Sequence, residues 1–368
     1  MGEFGSGFRI VDVGAFEEAL AVWRKHLPRV APFYAMKANP DPAIVRAAVD
    51  AGLGFDCACV AEMEAAVAGG AEPGELLLGH PVKPVSELRA LAGDPALGAV
   101  PVMFDTEEEL AKMGEHHPDA RLVLRLAVDD TGAASPMRDK FGAPPSQVQR
   151  LLEAARDMGF GVQGVSFHIG SGGTPRPVAM ARALDAALDA AARGREAGHA
   201  VEMIDIGGGF PSAADPSFPE LASVVAAVTD DSHDYAFVAE PGRFFAAPVE
   251  TAVVRVIGVR EAREGNETRR VWIDDGVYGT FSGRVFEGAD YSHMVTAVEP
   301  KEEEEEATTV VGPTCDGLDV VVPSMSLSGS VGEGDWLVVG GVGAYGSATR
   351  TAFNFMGMED GNRVVLNR

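Results

Sequence analysis

Phe33-Tyr34-Ala35-Met36-Lys37-Ala38-Asn39-Pro40 is an apolar, strand-like run closed by a lysine, and its reading separates two fold classes. A doubly wound open sheet usually leads from its first strand into a glycine-rich fingerprint, and Lys37-Ala38-Asn39-Pro40 is not one. An unpaired lysine buried at a strand end carries a high desolvation cost. Burial lowers the ammonium pKa and exposes a neutral amine, so the position suits Schiff-base attachment of a carbonyl cofactor. For this residue alone, a lysine snorkelling its head to solvent is the better reading.

Outward from this run, strand-like stretches such as 122–126 and 201–206 alternate with alanine-rich amphipathic helices at 41–51, 60–69, 106–114, 145–158 and 178–198. The alternation runs from about residue 13 to about 249 and signals parallel strands. Their number suits an α/β fold of the (β/α)8 TIM-like barrel type, whose chemistry gathers at the carboxyl ends of the strands. From about Glu250 the pattern changes to β-branched runs at 253–259, 270–273, 310–311, 320–322 and 336–339, separated by Gly, Asp and Asn turns. That reads as a C-terminal all-β domain of sandwich or barrel type.

Four later segments place chemistry at strand-to-loop transitions. Val165-Ser166-Phe167-His168-Ile169-Gly170-Ser171-Gly172 ends an apolar run with a flat ring followed by small, amide-rich residues. Ile204-Asp205-Ile206-Gly207-Gly208-Gly209-Phe210 sets three glycines where backbone N–H groups can close on a phosphate, although a lone triplet is more often a tight turn. Phe237-Val238-Ala239-Glu240-Pro241-Gly242-Arg243 supplies a carboxylate for a pyridinium nitrogen and a guanidinium for phosphate; a surface Glu-Arg turn is the bland alternative. Gly312-Pro313-Thr314-Cys315-Asp316-Gly317-Leu318-Asp319 sets a thiol beside a carboxylate. Together with Lys37 these groups fit pyridoxal 5'-phosphate (PLP).

The ordered set resembles the eukaryotic-type ornithine decarboxylases, within the ornithine, diaminopimelate and arginine decarboxylases of the alanine-racemase-like, fold-type III PLP enzymes. The likeness runs over nearly the whole chain, from Phe33-Tyr34-Ala35-Met36-Lys37 through Gly54-Phe55-Asp56-Cys57-Ala58, His168 to Gly172, Gly207 to Gly209, Glu240 to Arg243, Asp275-Gly276-Val277-Tyr278-Gly279 and Cys315-Asp316-Gly317 to Gly343-Ala344-Tyr345. It implies that Lys37 holds PLP, Glu240 keeps its ring nitrogen protonated and His168 stacks on the ring. It implies a phosphate cradle of Ser171, Gly208, Gly209, Pro241, Gly242, Arg243 and Tyr345, with Asp56 and Arg125 supporting the cofactor. Arg125 as an ordinary buried ion-pair partner and Tyr345 as a packed phenol are the plainer alternatives.

The resemblance further implies that Cys315 protonates the α-carbon after decarboxylation and that Asp316 binds the substrate's distal amine. This loop enters the neighbouring subunit's site in the family, which implies an obligate head-to-tail homodimer with shared active sites. Lys140 then pairs with Asp319 across the interface, and Phe353 packs near the shared site. Residues 8–11 are expected in the β-domain's sheet. Tyr278 through Glu287 resembles the specificity element, with Tyr278, Phe286 and Glu287 beside the substrate. Ornithine enzymes carry aspartate at the place of Glu287, and viral arginine-specific relatives carry glutamate. Arg284, if turned inward, would favour a substrate bearing a carboxylate.

The expected reaction is decarboxylation of a basic L-amino acid, L-ornithine to putrescine in polyamine biosynthesis first, with L-arginine or L-lysine as alternatives. A catalytically inactive regulatory homologue is the non-enzymatic alternative, and a racemase of the same fold would need a second base. Length and composition agree. At 368 residues two domains are the default: a barrel over 13–249, and a β-domain from 1–12 and 250–368. Apolar content of 46% with 23% charged residues describes a globular chain. No apolar run reaches a membrane span, and the N-terminus lacks a secretory pattern. Cys57, Cys59 and Cys315 have no metal-ligand spacing and argue for a reducing, cytoplasmic setting. A net charge of −25 repels nucleic acid and favours a small cationic substrate, though solubility or a saline habitat explains it equally well. Residues 301–306, including five consecutive glutamates, read as a solvated loop between strands.

Overall fold

A computed structural model describes residues 5–172, 176–263, 268–298, 304–356 and 363–367. The chain divides into two compact units, one formed by Ala19–Phe245 and the other by the residues up to Glu18 with those from Ala246 onward.

In the first unit, eight parallel strands close into a barrel in chain order. These are β2 (Val30–Ala35), β3 (Gly54–Cys57), β4 (Leu76–Leu78), β5 (Pro101–Phe104), β6 (Arg121–Leu126), β7 (Val162–Phe167), β8 (Met203–Asp205) and β9 (Ala236–Ala239). Closure comes from β9 pairing with β2, Val30 opposite Phe237, which excludes the open-sheet alternative. A helix, α1 (Val13–His26), precedes β2 in the chain. Each barrel strand then leads into a helix: α2 (Pro42–Asp50), α3 (Val60–Ala68), α4 (Val85–Gly93), α5 (Glu107–His116), α6 (Val148–Asp157), α7 (Pro177–Glu196), α8 (Phe218–Asp231) and α9 (Arg243–Val249). Local chemistry sets their starts. Asp41 accepts the Ala43 N–H at 2.8 Å ahead of Pro42, and Thr106 caps α5 above three acidic residues that suit the positive end of its dipole. α6 buries Val148, Leu151, Leu152 and Ala155 along one stripe.

Leu77, Met103 and Val123, with Phe33 and Met203 packed against them, form one core cluster of the barrel. Gly54 makes room for the Phe33 ring, because a Cβ there would lie 2.6 Å from it. A second cluster joins Trp23 to Phe210, Phe218, Phe244 and Phe245, with ring centroids 5.0 to 6.1 Å from the indole. Burying each such ring contributes about 1.5–3 kcal/mol.

The second unit is a mixed eight-stranded sheet. Its strands are β1 (Phe8–Asp12), β10 (Glu250–Arg260), β11 (Arg269–Ile273), β12 (Val295–Ala297), β13 (Glu305–Val311), β14 (Val320–Ser328), β15 (Trp336–Val339) and β16 (Arg363–Leu366). The order is β12-β15-β10-β11-β13-β14, and β1 lies antiparallel to β10 and parallel to β16. The expected pairing of residues 8–11 is thus present. Arg9 and Glu250, both buried, pair at 2.9 Å within this sheet. Val254, Val271, Ile273, Val310, Val321 and Leu337 belong to its core.

The glutamate run differs from expectation. Glu305 and Glu306 open β13, opposite Ser328 and Leu327. The ladder satisfies their backbone while the side chains stay exposed, with Arg269 as a nearby cation for Glu306. Residues 301–303 lie outside the described residues.

Candidate active site

The barrel unit gathers Lys37, Asp56, Arg125, His168, Asp205 and Glu240 at the carboxyl ends of its strands. Lys37 sits in the single helical turn after β2, and Asp56 faces Ala35 in the β2–β3 register. The lysine Nζ lies 2.5 Å from Asp56 Oδ2. Asp56 Oδ1 is buried without a hydrogen-bond donor. Gly79, just past β4, is what admits that oxygen, since a Cβ there would sit 2.2 Å from it.

Asp205 and Glu240 crown adjacent strands, and both are buried. Gly207 fastens them together: its N–H donates to Asp205 Oδ1 at 2.8 Å and its carbonyl accepts the Glu240 N–H at 2.7 Å. The left-handed φ of +60° at Gly207 permits this turn. Burial first, then the negative charges of Asp205 and Asp56, holds the Glu240 carboxyl well above the ordinary carboxylate range. Burial pushes Asp205 up to about 7.

His168 follows β7, and its Nδ1 accepts the Gly170 N–H at 2.9 Å, which leaves Nε2 to carry the hydrogen of a neutral ring. Burial, with the cations Arg125, Lys37 and Arg176 nearby, pushes its pKa well below the usual value. Arg125, on β6, lies over Phe141 at 5.0 Å. Ser171 is held by reciprocal backbone hydrogen bonds with Ser135 at 2.9 and 3.2 Å. Gly208 abuts the His168 ring, Pro241 and Gly242 are buried, and Arg243 opens α9.

This donor set fits PLP. Buried carboxylate oxygens without donors suit a cationic ring nitrogen, a lysine amine stands among them for the carbonyl, and glycine amides with an arginine suit the phosphate.

The β unit brings a second group together. The Tyr278 hydroxyl donates to Asp316 Oδ2, and this contact lowers the Asp316 pKa and raises that of Tyr278. The Phe353 and Tyr278 rings pack with centroids 4.4 Å apart. Cys315 is exposed, and its backbone N–H donates to Asn354 Oδ1 at 3.0 Å. Asp275 anchors the turn that carries Tyr278 by accepting from the Gly276 N–H at 2.8 Å and the Thr280 N–H at 3.3 Å. Tyr345 adopts a left-handed φ of +62° ahead of a short helix, and its carbonyl accepts from the Ser282 and Thr349 hydroxyls.

Asp319 and Arg284 are tied within their own chain. Asp319 is 3% exposed, and its carboxylate already accepts from the Val277 N–H at 2.8 Å, the Thr314 N–H at 3.0 Å and the Thr314 hydroxyl at 2.6 Å. It therefore joins two turns of its own chain. Lys140 is exposed, its ammonium 4.8 Å from the Phe141 ring centre. Arg284 directs its guanidinium to the Ala289 carbonyl at 3.4 Å, closing its own loop, while Phe286 is exposed and Glu287 half-buried.

Sequence reasoning gave no role to Asp205 or Asn354. An acid ending an apolar strand was a signal for Asp205, by the same logic as Lys37. For Asn354 no local signal exists, because its contact spans 39 residues of chain.

Residues 13–247 match the pyridoxal-dependent decarboxylases over their pyridoxal-binding domain. The chain belongs to this family. It is 35% identical over 364 residues to ornithine decarboxylase of Rattus norvegicus, covering 94% of this chain and 78% of that one. It is equally identical, at 35% over 365 residues and the same coverage, to antizyme inhibitor 2 of Xenopus laevis. Among solved structures, the Paramecium bursaria Chlorella virus arginine decarboxylase bound to agmatine superposes with a TM-score of 0.91 at 29% identity, covering 99% of this chain and 97% of the other.

Proposed function

We propose that this chain is a PLP-dependent decarboxylase of a small basic L-amino acid, L-ornithine first, giving putrescine for polyamine biosynthesis in the cytoplasm. The observation that carries the reading is Lys37 Nζ at 2.5 Å from Asp56 Oδ2, in a barrel end that also holds the buried carboxyl of Glu240. Bound there, PLP supplies an electron sink for the pair left when carbon dioxide departs.

This chain's residues do the rest. Lys37 provides the amine that attaches the cofactor, and Asp56 orients it. Glu240 keeps a proton on the pyridine nitrogen. His168, neutral, lies against the ring without adding charge. Ser171, Gly208, Gly209, Arg243 and Tyr345 hold the phosphate, and Arg125 supports the site. Asp316, kept ionised and oriented by the Tyr278 hydroxyl, binds the substrate's distal ammonium, with Phe286, Glu287 and Phe353 shaping the same subsite. Cys315 donates a proton to the α-carbon. We take the Cys315–Asp316 loop to serve the site of a second copy, so that the active species is a homodimer, with Lys140 approaching the turn of Asp319 of the partner subunit.

Arginine is the second substrate reading, supported by Glu287 and by the likeness to the viral arginine decarboxylase. An inactive regulatory protein is the non-enzymatic one, supported by the likeness to antizyme inhibitor 2. Lys37, Glu240, Cys315 and Asp316 together favour the enzyme. The deciding experiment follows carbon dioxide release and amine products from L-ornithine, L-lysine and L-arginine in parallel. Turnover of ornithine above the others supports the first reading, arginine preference replaces it with the second, and silence on all three with PLP bound supports the regulatory one.

A further inference from the structure

We propose that Asp205 is a positioning residue for Glu240, sharing one proton with it across a carboxyl–carboxylate hydrogen bond and fixing which Glu240 oxygen is left for the pyridine nitrogen; this rests on the reading of Glu240 given above. The geometry starts from the β8–β9 pairing, which puts Asp205 opposite Val238 and raises both acids from the ends of neighbouring strands. Gly207 then ties the two backbones to one peptide, donating to Asp205 Oδ1 at 2.8 Å and accepting from Glu240 at 2.7 Å.

Asp205 is fully buried, and its Oδ2 has no N–H or ordinary O–H donor among the described residues. The acid at the end of the adjacent strand is Glu240, itself buried. Two carboxylates are both acceptors, so a hydrogen bond between them requires a proton on one. The charged groups facing the pair are Asp56 on β3, Lys37 after β2 and Arg125 on β6. Asp56 discourages a second negative charge, whereas Lys37 and Arg125 stabilise the first. Burial acts with Asp56 to favour the singly ionised pair over the doubly ionised one. A cationic ring nitrogen facing Glu240 draws the charge to that residue, and the proton then resides on Asp205, whose O–H orients Glu240 from behind.

The test compares wild type with Asp205→Asn and Asp205→Ala. Asparagine retains a donor for Glu240 but no titratable proton, whereas alanine retains neither. In the cofactor-free chain, the wild-type melting temperature should fall as pH rises from about 4 through about 7, and the fall should be smaller in Asp205→Asn. With PLP bound, Asp205→Asn should keep KM within about twofold while kcat drops about tenfold, with a displaced pH profile of the cofactor's absorbance. Asp205→Ala should lose PLP affinity as well. Identical pH–stability curves for wild type and Asp205→Asn would overturn the shared proton. If Asp205→Ala does not fold, Glu240→Gln is the second probe: by placing an amide donor against Asp205 it should flatten the same curve, and an unchanged curve counts against the pair. Because the stability curve is measured without cofactor or substrate, failure of the decarboxylase reading leaves it interpretable, and absent carbon dioxide release does not mimic either result.

Discussion

The backbone N–H of Cys315 donates to the side-chain oxygen of Asn354 at 3.0 Å, so the proposed proton donor is held by a residue that itself has a left-handed φ of +55°. Asparagine tolerates that conformation better than most residues and brings an acceptor as well. Asn354→Gly relieves the backbone but removes the acceptor, and Asn354→Asp keeps both. Asn354→Gly should match wild type in melting temperature within about 1 °C and lose about fivefold or more in kcat, with Asn354→Asp recovering most of it. Equal kcat in all three proteins would show that this contact does not place Cys315.

A site shared between two chains has a complementation signature. Lys37→Ala and Cys315→Ala homodimers should each be nearly inactive, and random mixing after subunit exchange should restore about a quarter of wild-type activity, since half the dimers then carry one intact site. No recovery in a mixture that size-exclusion and mass measurements show to be dimeric would place the whole site in one chain.

Gly79 is a test of the Lys37–Asp56 contact that touches neither residue. A methyl group at this position meets Asp56 Oδ1 at 2.2 Å, so Gly79→Ala should push the carboxylate away from the lysine. PLP affinity should fall by about tenfold, read by the loss of bound cofactor absorbance on dilution, while the far-ultraviolet circular dichroism stays that of wild type. Unchanged affinity would mean that Asp56 does not orient the amine.

Asp275 gives the β unit its own pH signature. Burial pushes its carboxyl up to about 6, against 3.8 for the ordinary group. The unfolded chain releases this proton first as pH rises, so its contribution to stability is fully present below about 4 and is lost as pH rises through about 6. The loss is on the order of 2–3 kcal/mol, a tenfold difference in proton affinity between the folded and unfolded chains being worth ~1.4 kcal/mol. Asp275→Asn should flatten stability between those limits in urea unfolding followed at several pH values, and an unaltered slope would count against Asp275 as the titrating group.

The barrel is legible in the sequence because each β/α unit repeats one local pattern, and the helix at Pro42–Asp50 lies within its expected span of 41–51. The β unit's strands are legible, but its sheet order is not. Val271 pairs with Val310 in parallel, and Arg9 lies between Ala252 and Arg363, and no short-range periodicity encodes such pairings. Glu305 and Glu306 read as loop because charge outweighs apolar alternation in a window, although a strand can pair its backbone while its acids stay in solvent. At the site, Lys37, His168 and Glu240 are legible because polar groups ending apolar strands are costly without a purpose. The three donors that hold Asp319 within its own chain are not legible, because Val277 lies 42 residues away in sequence.

The sheet that receives β1 takes its other strands from Glu250 onward, so this segment is synthesised roughly 240 residues before β10 and roughly 350 before β16. At about 5–20 residues per second, the ribosome needs tens of seconds or less to deliver β10 and longer to deliver β16, during which the barrel strands emerge and can close. Throughout that interval Phe8–Asp12 is a nascent edge with its hydrogen-bonding groups unanswered. Completion of the β unit is therefore a late event in biosynthesis, and β1 waits unpaired while the rest of the polypeptide is made.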